Sequence, residues 1–231
     1  MRLVKLFCFP HAGGGAAMFN GWNQALSPRV GVVPVDIAHR ERFETLRELV
    51  RNVHDHLVSR LDGPYAFFGH SFGALVAYRL ACLRAEARLP LPTTLVLSSY
   101  APPHLPPPIP AVDHLDAHRL AGLLVDLGGI PPELAEWPAL RDAASAAART
   151  DLQLCETDVD DANCVLPCPI HVLGGSEDPL ISECDLEQWR GRTSGHFSMH
   201  LLPGGHFYLS DEEQLFTVLR PLMSATIGAK C

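Results

Sequence analysis

Basic residues are in the minority in this chain of 231 residues, which has 18 lysines and arginines against 26 aspartates and glutamates and a formal net charge of −8. No basic footprint covers the chain as a whole, which argues against nucleic-acid binding by the overall charge. Long apolar runs are also lacking: the longest uncharged stretch, 89–112, contains eight prolines and cannot form a membrane helix. We therefore expect neither a nucleic-acid partner nor a membrane partner.

Cysteine pairs at metal-binding or redox spacing are absent as well. The chain has seven cysteines, and no two of them form a C-x-x-C pair. An odd number of cysteines in a chain of this length is typical of free thiols in a reducing compartment. The first residues run directly into an apolar strand and show no signal-peptide pattern. The sequence thus predicts a cytoplasmic protein whose cysteines are free.

Apolar residues make up 47% of the chain, enough for a packed core in a protein of about one domain. Short apolar segments alternate with segments of helical periodicity. The predicted strands are 5–9, 30–35, 65–68, 95–97, 170–173 and 198–202, and the clearest helices are 43–57, 74–83 and 213–223. Buried strands separated by helices indicate an α/β fold with a largely parallel sheet of about six strands or slightly more, covered on both faces.

The alternation stops between residues 101 and 167. Pro102–Pro110 is rich in proline, and the residues that follow have helical but no strand periodicity. A structureless loop of that length is uncommon in a compact domain. We therefore predict a single domain over 1–231 in which 101–167 is a helical insertion above the sheet, entered through a rigid proline-rich linker.

Gly69–Gly73 (GHSFG) fits the pattern G-x-S-x-G. The segment directly follows the predicted strand 65–68 and opens the predicted helix 74–83. A strand, a sharp turn and a helix in that order form a nucleophile elbow, in which small residues allow a strained turn to present the serine oxygen above the sheet. The alternative is a glycine-rich turn with an ordinary serine, and the context favours the elbow with Ser71 as nucleophile.

A nucleophilic serine needs a general base, and the base needs a carboxylate that orients it. In α/β-hydrolases the acid and the histidine follow the serine in that order, at the ends of later strands. Asp178 follows the strand at 170–173, and His206 follows the strand at 198–202. The candidate triad is therefore Ser71, Asp178 and His206, with Glu177 as the alternative acid and a solvated loop histidine as the alternative for His206.

The oxyanion of such a reaction is held by two backbone N–H groups. One belongs to the residue after the nucleophile, Phe72, and the other to the loop after the first core strand, where Ala12 in Phe9–Gly15 (FPHAGGG) is the candidate. The same loop could be a phosphate-binding turn. It lacks both the lysine of G-x-x-x-x-G-K-[ST] and the spacing of G-x-G-x-x-G, so nucleotide binding is not favoured.

Five blocks along nearly the whole chain, together with Trp22, carry a resemblance: 5–15 (KLFCFPHAGGG), 69–74 (GHSFGA), 127–131 (LGGIP), 174–179 (GGSEDP) and 203–207 (PGGHF). In this order they resemble a type II thioesterase, the discrete editing enzyme of polyketide and nonribosomal peptide synthesis, which is similar to the thioesterases that release fatty-acid chains.

The resemblance implies an α/β-hydrolase fold with a mobile helical lid. It implies hydrolysis of acyl groups from the phosphopantetheine arm of an acyl- or peptidyl-carrier protein, without a metal or another cofactor. It assigns the triad to Ser71, Asp178 and His206, and the oxyanion donors to Ala12 and Phe72. His11 and His70 lie beside these donors, either as loop-shaping or substrate-channel residues or as structural ones.

The chain departs from many relatives at Ser98–His104, where basic residues are missing just after the strand that precedes the lid. That departure puts in doubt the contacts that the family would imply for the lid hinge, but not the triad. Two other functions remain open: a general carboxylesterase or lipase acting on small esters, and a non-catalytic scaffold with a hydrolase fold. Acyl transfer to an acceptor other than water is also compatible with the triad.

Several other residues have two interpretations. No cysteine and histidine spacing in the chain matches a standard zinc site. The spacings considered are Cys164/Cys168/His171, His114/His118 and His196/His200. The apolar residues of the insertion either pack the lid or contact the acyl chain; they are Leu115, Leu120, Leu123, Leu124, Leu127, Ile130 and Leu134.

A carrier protein is typically acidic, as this chain is, so docking would depend on local basic groups. Arg79, Arg84 and Arg88 are candidates, and the alternative is that they form a solvated helix face. We expect the protein to be a monomer.

Overall fold

Six parallel strands form one sheet at the centre of the computed structural model, which describes residues 3–26, 28–37, 39–109, 111–159 and 164–228. The strands are Val4–Phe9 (β1), Val30–Pro34 (β2), Tyr65–His70 (β3), Leu95–Ser98 (β4), Ile170–Gly175 (β5) and Phe197–Leu202 (β6). Their order in the sheet is β2-β1-β3-β4-β5-β6, and every neighbouring pair is parallel. The predicted α/β fold with about six parallel strands is confirmed.

Helices connect the strands and cover both faces of the sheet. Those among the described residues are Trp22–Leu26 (α1), Leu46–Leu57 (α2), Phe72–Glu86 (α3), Ala117–Asp126 (α4), Pro132–Ala135 (α5), Pro138–Glu156 (α6), Glu183–Glu187 (α7) and Glu212–Gly228 (α8). None of these described helices is both long and apolar enough to cross a membrane.

Local sequence explains where α2 begins. The Thr45 side chain accepts a hydrogen bond from the Glu48 N–H at 3.3 Å, and the Glu48 carboxylate accepts one from the Thr45 N–H at 3.3 Å. This reciprocal capping box satisfies two N–H groups that a helix end otherwise leaves unpaired. The helix therefore begins at Leu46, three residues later than the apolar periodicity predicts.

Aromatic side chains fill the two layers of the core. On one face of the sheet, Phe67 of β3 packs edge-to-face against Phe7 and Phe9 of β1, with ring centroids 6.1 and 5.3 Å apart. On the other face, Trp22 of α1 lies between Phe68 of β3, at 4.9 Å, and Phe216 of α8, at 5.3 Å. Successive residues of β3 thus belong to opposite layers, as the period of a strand requires, and β3 is buried along its whole length.

The chain between β4 and β5 contains α4, α5 and α6, which confirms the predicted helical character of that segment. Its apolar residues mostly pack inward: Leu120, Leu124, Leu127 and Ile130 are buried, and Leu115 and Leu123 are partly buried against the core. Leu134 is 44% exposed, so packing is the wrong interpretation for that residue. Whether the segment acts as a lid stays a prediction at this point.

The three arginines considered for docking have different surroundings. Arg84 is buried, and its Nε donates to the Tyr65 hydroxyl at 2.8 Å, so a solvated or docking role is wrong for it. Arg79 is engaged by the Asp158 carboxylate, to which its Nε and Nη2 donate at 2.8 and 2.7 Å. Arg88, beyond the end of α3, is exposed.

The cysteines correct a second prediction. Cys82 of α3 and Cys164, just before β5, form a disulfide with their Cα atoms 6.1 Å apart. The prediction of free thiols is wrong for this pair, because the fold brings together two cysteines that are 82 residues apart in sequence. Cys8, Cys155, Cys168 and Cys184 are free, and Cys231 lies outside the described residues.

Reduction of this disulfide is expected to lower the free energy of unfolding by about 2–4 kcal/mol, because the bond closes a long loop and restricts the unfolded chain. Denaturant unfolding with and without dithiothreitol measures the difference. A Cys184→Ser variant should keep the response to reductant, and a Cys82→Ser variant should lose it. Equal stability of the oxidised and reduced wild type would contradict the prediction.

Candidate active site

Ser71 stands at a sharp turn between β3 and α3, with φ of 54° and ψ of −122°. A positive φ is costly for a residue other than glycine, and such strain is concentrated at functional sites. The flanking glycines make the turn possible. A methyl group at Gly69 would lie 2.1 Å from the Gly73 carbonyl oxygen, and one at Gly73 would lie 2.2 Å from the Phe9 carbonyl oxygen. The segment Gly69–Gly73 therefore has the sharp strand–turn–helix geometry that the sequence predicts for it, and the role of Ser71 as nucleophile stays a prediction.

Ser71, His206 and Asp178 form a continuous series of hydrogen bonds. The Ser71 Oγ lies 3.0 Å from the His206 Nε2, and the His206 Nδ1 lies 2.8 Å from the Asp178 Oδ2. The side chains of His206 and Asp178 are each only 2% exposed. A carboxylate only accepts hydrogen bonds, so the Nδ1 carries the proton and the Nε2 is free to accept one from the serine.

The loops after β5 and β6 hold the acid and the base in contact. A methyl group at Gly175 would lie 2.1 Å from the Gly205 carbonyl oxygen, which shows how closely the two backbones approach. The second carboxylate oxygen of Asp178 accepts a hydrogen bond from the Leu180 N–H at 2.9 Å. Glu177, the alternative acid, is exposed, so the geometry favours Asp178.

The two predicted oxyanion donors lie at the elbow. Phe72 is the first residue of α3, and the N–H groups of a first helical turn have no partner within the helix. The loop that carries Ala12 follows β1, whose last carbonyl lies against Gly73. Ala12 is buried, and its carbonyl oxygen accepts a hydrogen bond from the His11 Nδ1 at 2.9 Å. The role of the two amides in binding an oxyanion stays a prediction.

Two further histidines surround His206. The His70 ring lies 5.4 Å from the His206 ring, and its Nδ1 is 2.8 Å from the Ser98 Oγ. The Ser98 Oγ in turn lies 2.7 Å from the Tyr208 hydroxyl. Burial lowers the pKa of His70 well below its usual range, and burial likewise lowers the pKa of His11 to about 4. Both rings are therefore neutral near pH 7 and add no positive charge beside the base.

Sequence reasoning missed the hydrogen bonds of Ser98 and Tyr208. The one available signal is position: Ser98 ends β4, and parallel strands end at the same edge of the sheet as the elbow. Tyr208 lies two residues after His206, but nothing in that spacing indicates a bond to a residue 110 positions away.

The segment between β4 and β5 covers the serine. The residues around the small cavity at Ser71 are Phe72, Tyr100, Pro107, Pro108, Ile109, Leu152 and Cys155. The cavity has a volume of about 10 Å³, roughly enough for one water molecule. The proline run is therefore more than a linker, because two of its prolines form part of this cover. The chain just before this run is hydrogen-bonded to Trp189, whose Nε1 donates to the Tyr100 carbonyl at 2.7 Å.

The cysteine and histidine spacings noted in the sequence do not form a metal site in the described part of the chain. Cys164 is bonded to Cys82, and the His171 Nδ1 lies 2.7 Å from the Ser198 Oγ. Among the residues that the structure describes, no three or more histidine, cysteine, aspartate or glutamate side chains are grouped so as to hold a metal ion.

The sequence of the chain matches a known protein family. The family model described as a thioesterase domain matches residues 4–225, almost the whole chain. The chain belongs to the thioesterase family. Members of this family are hydrolases, and this thioesterase has the α/β fold of its solved relatives.

Three similar proteins illustrate the family. The thioesterase is 35% identical to the linear gramicidin dehydrogenase LgrE of Brevibacillus parabrevis, over 97% of this chain and 90% of that protein. RedJ, a thioesterase of the prodiginine pathway of Streptomyces coelicolor, has a TM-score of 0.87 and 34% identity, over 94% of this chain and 89% of that chain. The type II thioesterase BorB of the borrelidin cluster has a TM-score of 0.84 and 30% identity, over 97% and 92%.

The geometry predicts different effects for the two neighbouring carboxylates. Asp178→Asn should lower the rate at which a fluorophosphonate labels Ser71 by a factor on the order of 10²–10⁴, because the amide no longer stabilises the correct histidine tautomer and the imidazolium. Glu177→Gln should leave the rate within about twofold, since that side chain is exposed. Labelling is followed by intact-protein mass spectrometry. A larger loss in Glu177→Gln would reverse the assignment of the acid.

Proposed function

We propose that this thioesterase hydrolyses acyl groups from the phosphopantetheine arm of an acyl- or peptidyl-carrier protein, as an editing or release enzyme of polyketide or nonribosomal peptide synthesis. The observation that carries the proposal is the buried series of hydrogen bonds from Ser71 through His206 to Asp178. It occurs in a member of the thioesterase family whose relatives include a type II thioesterase of the borrelidin cluster.

In the proposed mechanism the Ser71 Oγ attacks the thioester carbonyl while the His206 Nε2 takes its proton. The tetrahedral intermediate collapses, the carbon–sulfur bond breaks, and His206 returns the proton to the leaving thiolate. Water then enters, loses a proton to His206 and attacks the acyl-Ser71 ester. The acid leaves, and the serine regains its proton. Asp178 stabilises the imidazolium that forms in both halves of the reaction.

The negative charge of each tetrahedral intermediate falls on the former carbonyl oxygen. We assign the N–H groups of Ala12 and Phe72 as its hydrogen-bond donors. Donors of this kind act in a site sheltered from water, where the loss of one raises the barrier by about 3–4 kcal/mol. No metal or other cofactor takes part in this scheme.

Substrate entry requires the cover to move. A cavity of about 10 Å³ at Ser71 is too small for an acyl thioester. We therefore propose that the segment 101–167 is a lid, and that its proline-rich part, including Pro107 and Pro108, withdraws when the phosphopantetheine arm enters. Closure afterwards would keep bulk water from the acyl-enzyme.

The partner and the setting of the reaction are part of the same proposal. We propose that the enzyme acts as a monomer in the cytoplasm. The Cys82–Cys164 disulfide removes the free-thiol argument for that compartment, so the proposal rests on the carrier-bound substrate alone. Of the three arginines considered for docking, Arg88 has an exposed side chain, whereas Arg84 is buried and Arg79 is paired with Asp158.

A general carboxylesterase would use the same triad, and the geometry at Ser71 does not distinguish a thiolate from an alkoxide leaving group. The family membership favours the thioester. The oxidoreductase name of LgrE does not lead to a second proposal, because the loop after β1 lacks the G-x-G-x-x-G spacing of a dinucleotide site.

The wild type is expected to hydrolyse an acyl-phosphopantetheinyl carrier protein, and Ser71→Ala should reduce turnover by a factor on the order of 10⁴ or more because the nucleophile is lost. Release of the free thiol is followed with a thiol reagent, with the acyl-CoA thioester and a matched oxygen ester alongside. Ser224→Ala, at an exposed position of α8, is the control and should retain full activity.

Preference for the oxygen ester by a large factor would favour a carboxylesterase. Near-normal turnover by a folded Ser71→Ala variant would overturn the mechanism. A folded wild type that neither turns over any ester nor reacts with a fluorophosphonate would favour the non-catalytic scaffold.

A further inference from the structure

A buried ion pair between Asp151 of α6 and Arg40, which follows β2, is hydrogen-bonded to the loop after β1. We call this loop the Gly13 loop (residues 10–15). The Asp151 side chain has no exposed surface, and its Oδ2 accepts hydrogen bonds from the Arg40 guanidinium and, at 2.7 Å, from the Gly13 N–H. The same guanidinium donates from its Nη2 to the Gly14 carbonyl at 3.1 Å and from its Nε to the Ile37 carbonyl at 3.1 Å. The carboxylate thus holds the peptide group between Ala12 and Gly13, and the guanidinium holds the one between Gly14 and Gly15.

Close packing makes the contact between α6 and the loop rigid. Gly13 has φ of +74°, and a methyl group there would lie 3.0 Å from the Ala148 Cβ. Ala148 and Asp151 are three residues apart and therefore share one face of α6. The helix rests directly on the Gly13 loop, and there is no space in which the loop could rearrange towards the helix.

Stability alone does not account for this ion pair. Burial outweighs the attraction of Arg40 and raises the pKa of Asp151 to about 6, which shows how strongly the carboxylate is desolvated. Replacing a buried ion pair by apolar side chains is often neutral or stabilising. An ion pair whose burial costs free energy and whose hydrogen bonds are directional is better suited to holding the loop in one conformation than to stabilising the fold.

The geometry in question is that of the peptide group between Ala12 and Gly13. A peptide group is planar, so its C=O and N–H turn together. The His11 Nδ1 donates to the Ala12 carbonyl at 2.9 Å, and the Asp151 Oδ2 accepts from the Gly13 N–H at 2.7 Å. The plane of this peptide group is therefore held from both sides. Since it is joined to the Ala12 Cα, it also restricts the backbone of Ala12 and hence the direction of the Ala12 N–H, which lies in the peptide group before it.

We propose that Asp151 and Arg40 are positioning residues that hold the Gly13 loop so that the Ala12 N–H faces the oxyanion formed at Ser71. The inference rests on the proposed function only in that it takes Ala12 as an oxyanion donor. It also gives α6 a second role, because this helix of the proposed lid orders the oxyanion loop as well as covering the serine.

Asp151→Leu tests the proposal with little change in size. The Gly13 N–H and the Arg40 guanidinium both donate to the Asp151 Oδ2, so the apolar side chain removes the acceptor of both hydrogen bonds, whereas an amide oxygen in the same place could keep them. We expect kcat on the acyl-carrier thioester to fall about 10- to 100-fold with KM within about threefold, since loss of an oxyanion donor outright costs on the order of 10²–10³ in kcat. The fluorophosphonate labelling rate of Ser71 should fall by a similar factor.

Asp142→Leu is the matched control, because Asp142 lies on the same helix and its side chain is 56% exposed. It should leave kcat, KM and the labelling rate unchanged. Circular dichroism and thermal unfolding of each variant show whether it is folded.

Asp151→Leu combined with Arg40→Met separates positioning from stability, because it removes both charges and leaves no unpaired ion. We expect this double variant to fold and still to lose at least tenfold in kcat and in labelling rate. Wild-type values of both in a folded Asp151→Leu or double variant would overturn the proposal. A wild type that reacts with the fluorophosphonate but cleaves no carrier thioester would overturn the proposed function instead, and the labelling rates would still test the positioning.

Discussion

Six strands that run in the same direction end at the same edge of the sheet, and the candidate site depends on that constraint. The edge brings together residues from distant parts of the sequence: the Gly13 loop after β1, Ser71 after β3, Asp178 after β5 and His206 after β6. Hydrogen bonding between neighbouring strands fixes their spacing at about 4.8 Å. Ser71 and His206, which are 135 residues apart, can then meet at 3.0 Å without either loop being long.

The rigid surroundings of β3 allow the strained turn at Ser71 to persist. A positive φ at a serine costs on the order of 1–3 kcal/mol and survives only where the neighbouring structure determines it completely. Here β3 and most of α3 are buried, and Gly69 and Gly73 leave the turn no alternative packing. The same packing places the last carbonyl of β1 against α3. The strained backbone at Ser71 and the position of the Gly13 loop therefore both result from the close contact between the end of β1 and the start of α3.

Much of this could be predicted from the sequence. Short apolar strands and the G-x-S-x-G turn have local causes, namely burial and steric space, so the six strands and the elbow follow from nearby residues. Asp178 and His206 could be found because each follows a recognisable strand. The Cys82–Cys164 disulfide and the burial of Arg84 could not be found, because each depends on which surfaces meet across the fold rather than on a pattern along the chain.

The sequence by itself determined the α/β class and the order of the elements, because periodicity and glycine spacing report backbone conformation directly, and it left the candidate acid open between Asp178 and Glu177. Only the tertiary structure shows that Asp178 is hydrogen-bonded to His206 while Glu177 is exposed, since adjacent residues differ in the direction their side chains take and not in their place in the chain. The hydrogen bond from the Gly13 N–H to the Asp151 carboxylate is likewise visible only in the tertiary structure. A hydrogen bond between residues 138 positions apart leaves no trace in the sequence of either segment, because its geometry exists only after both have packed.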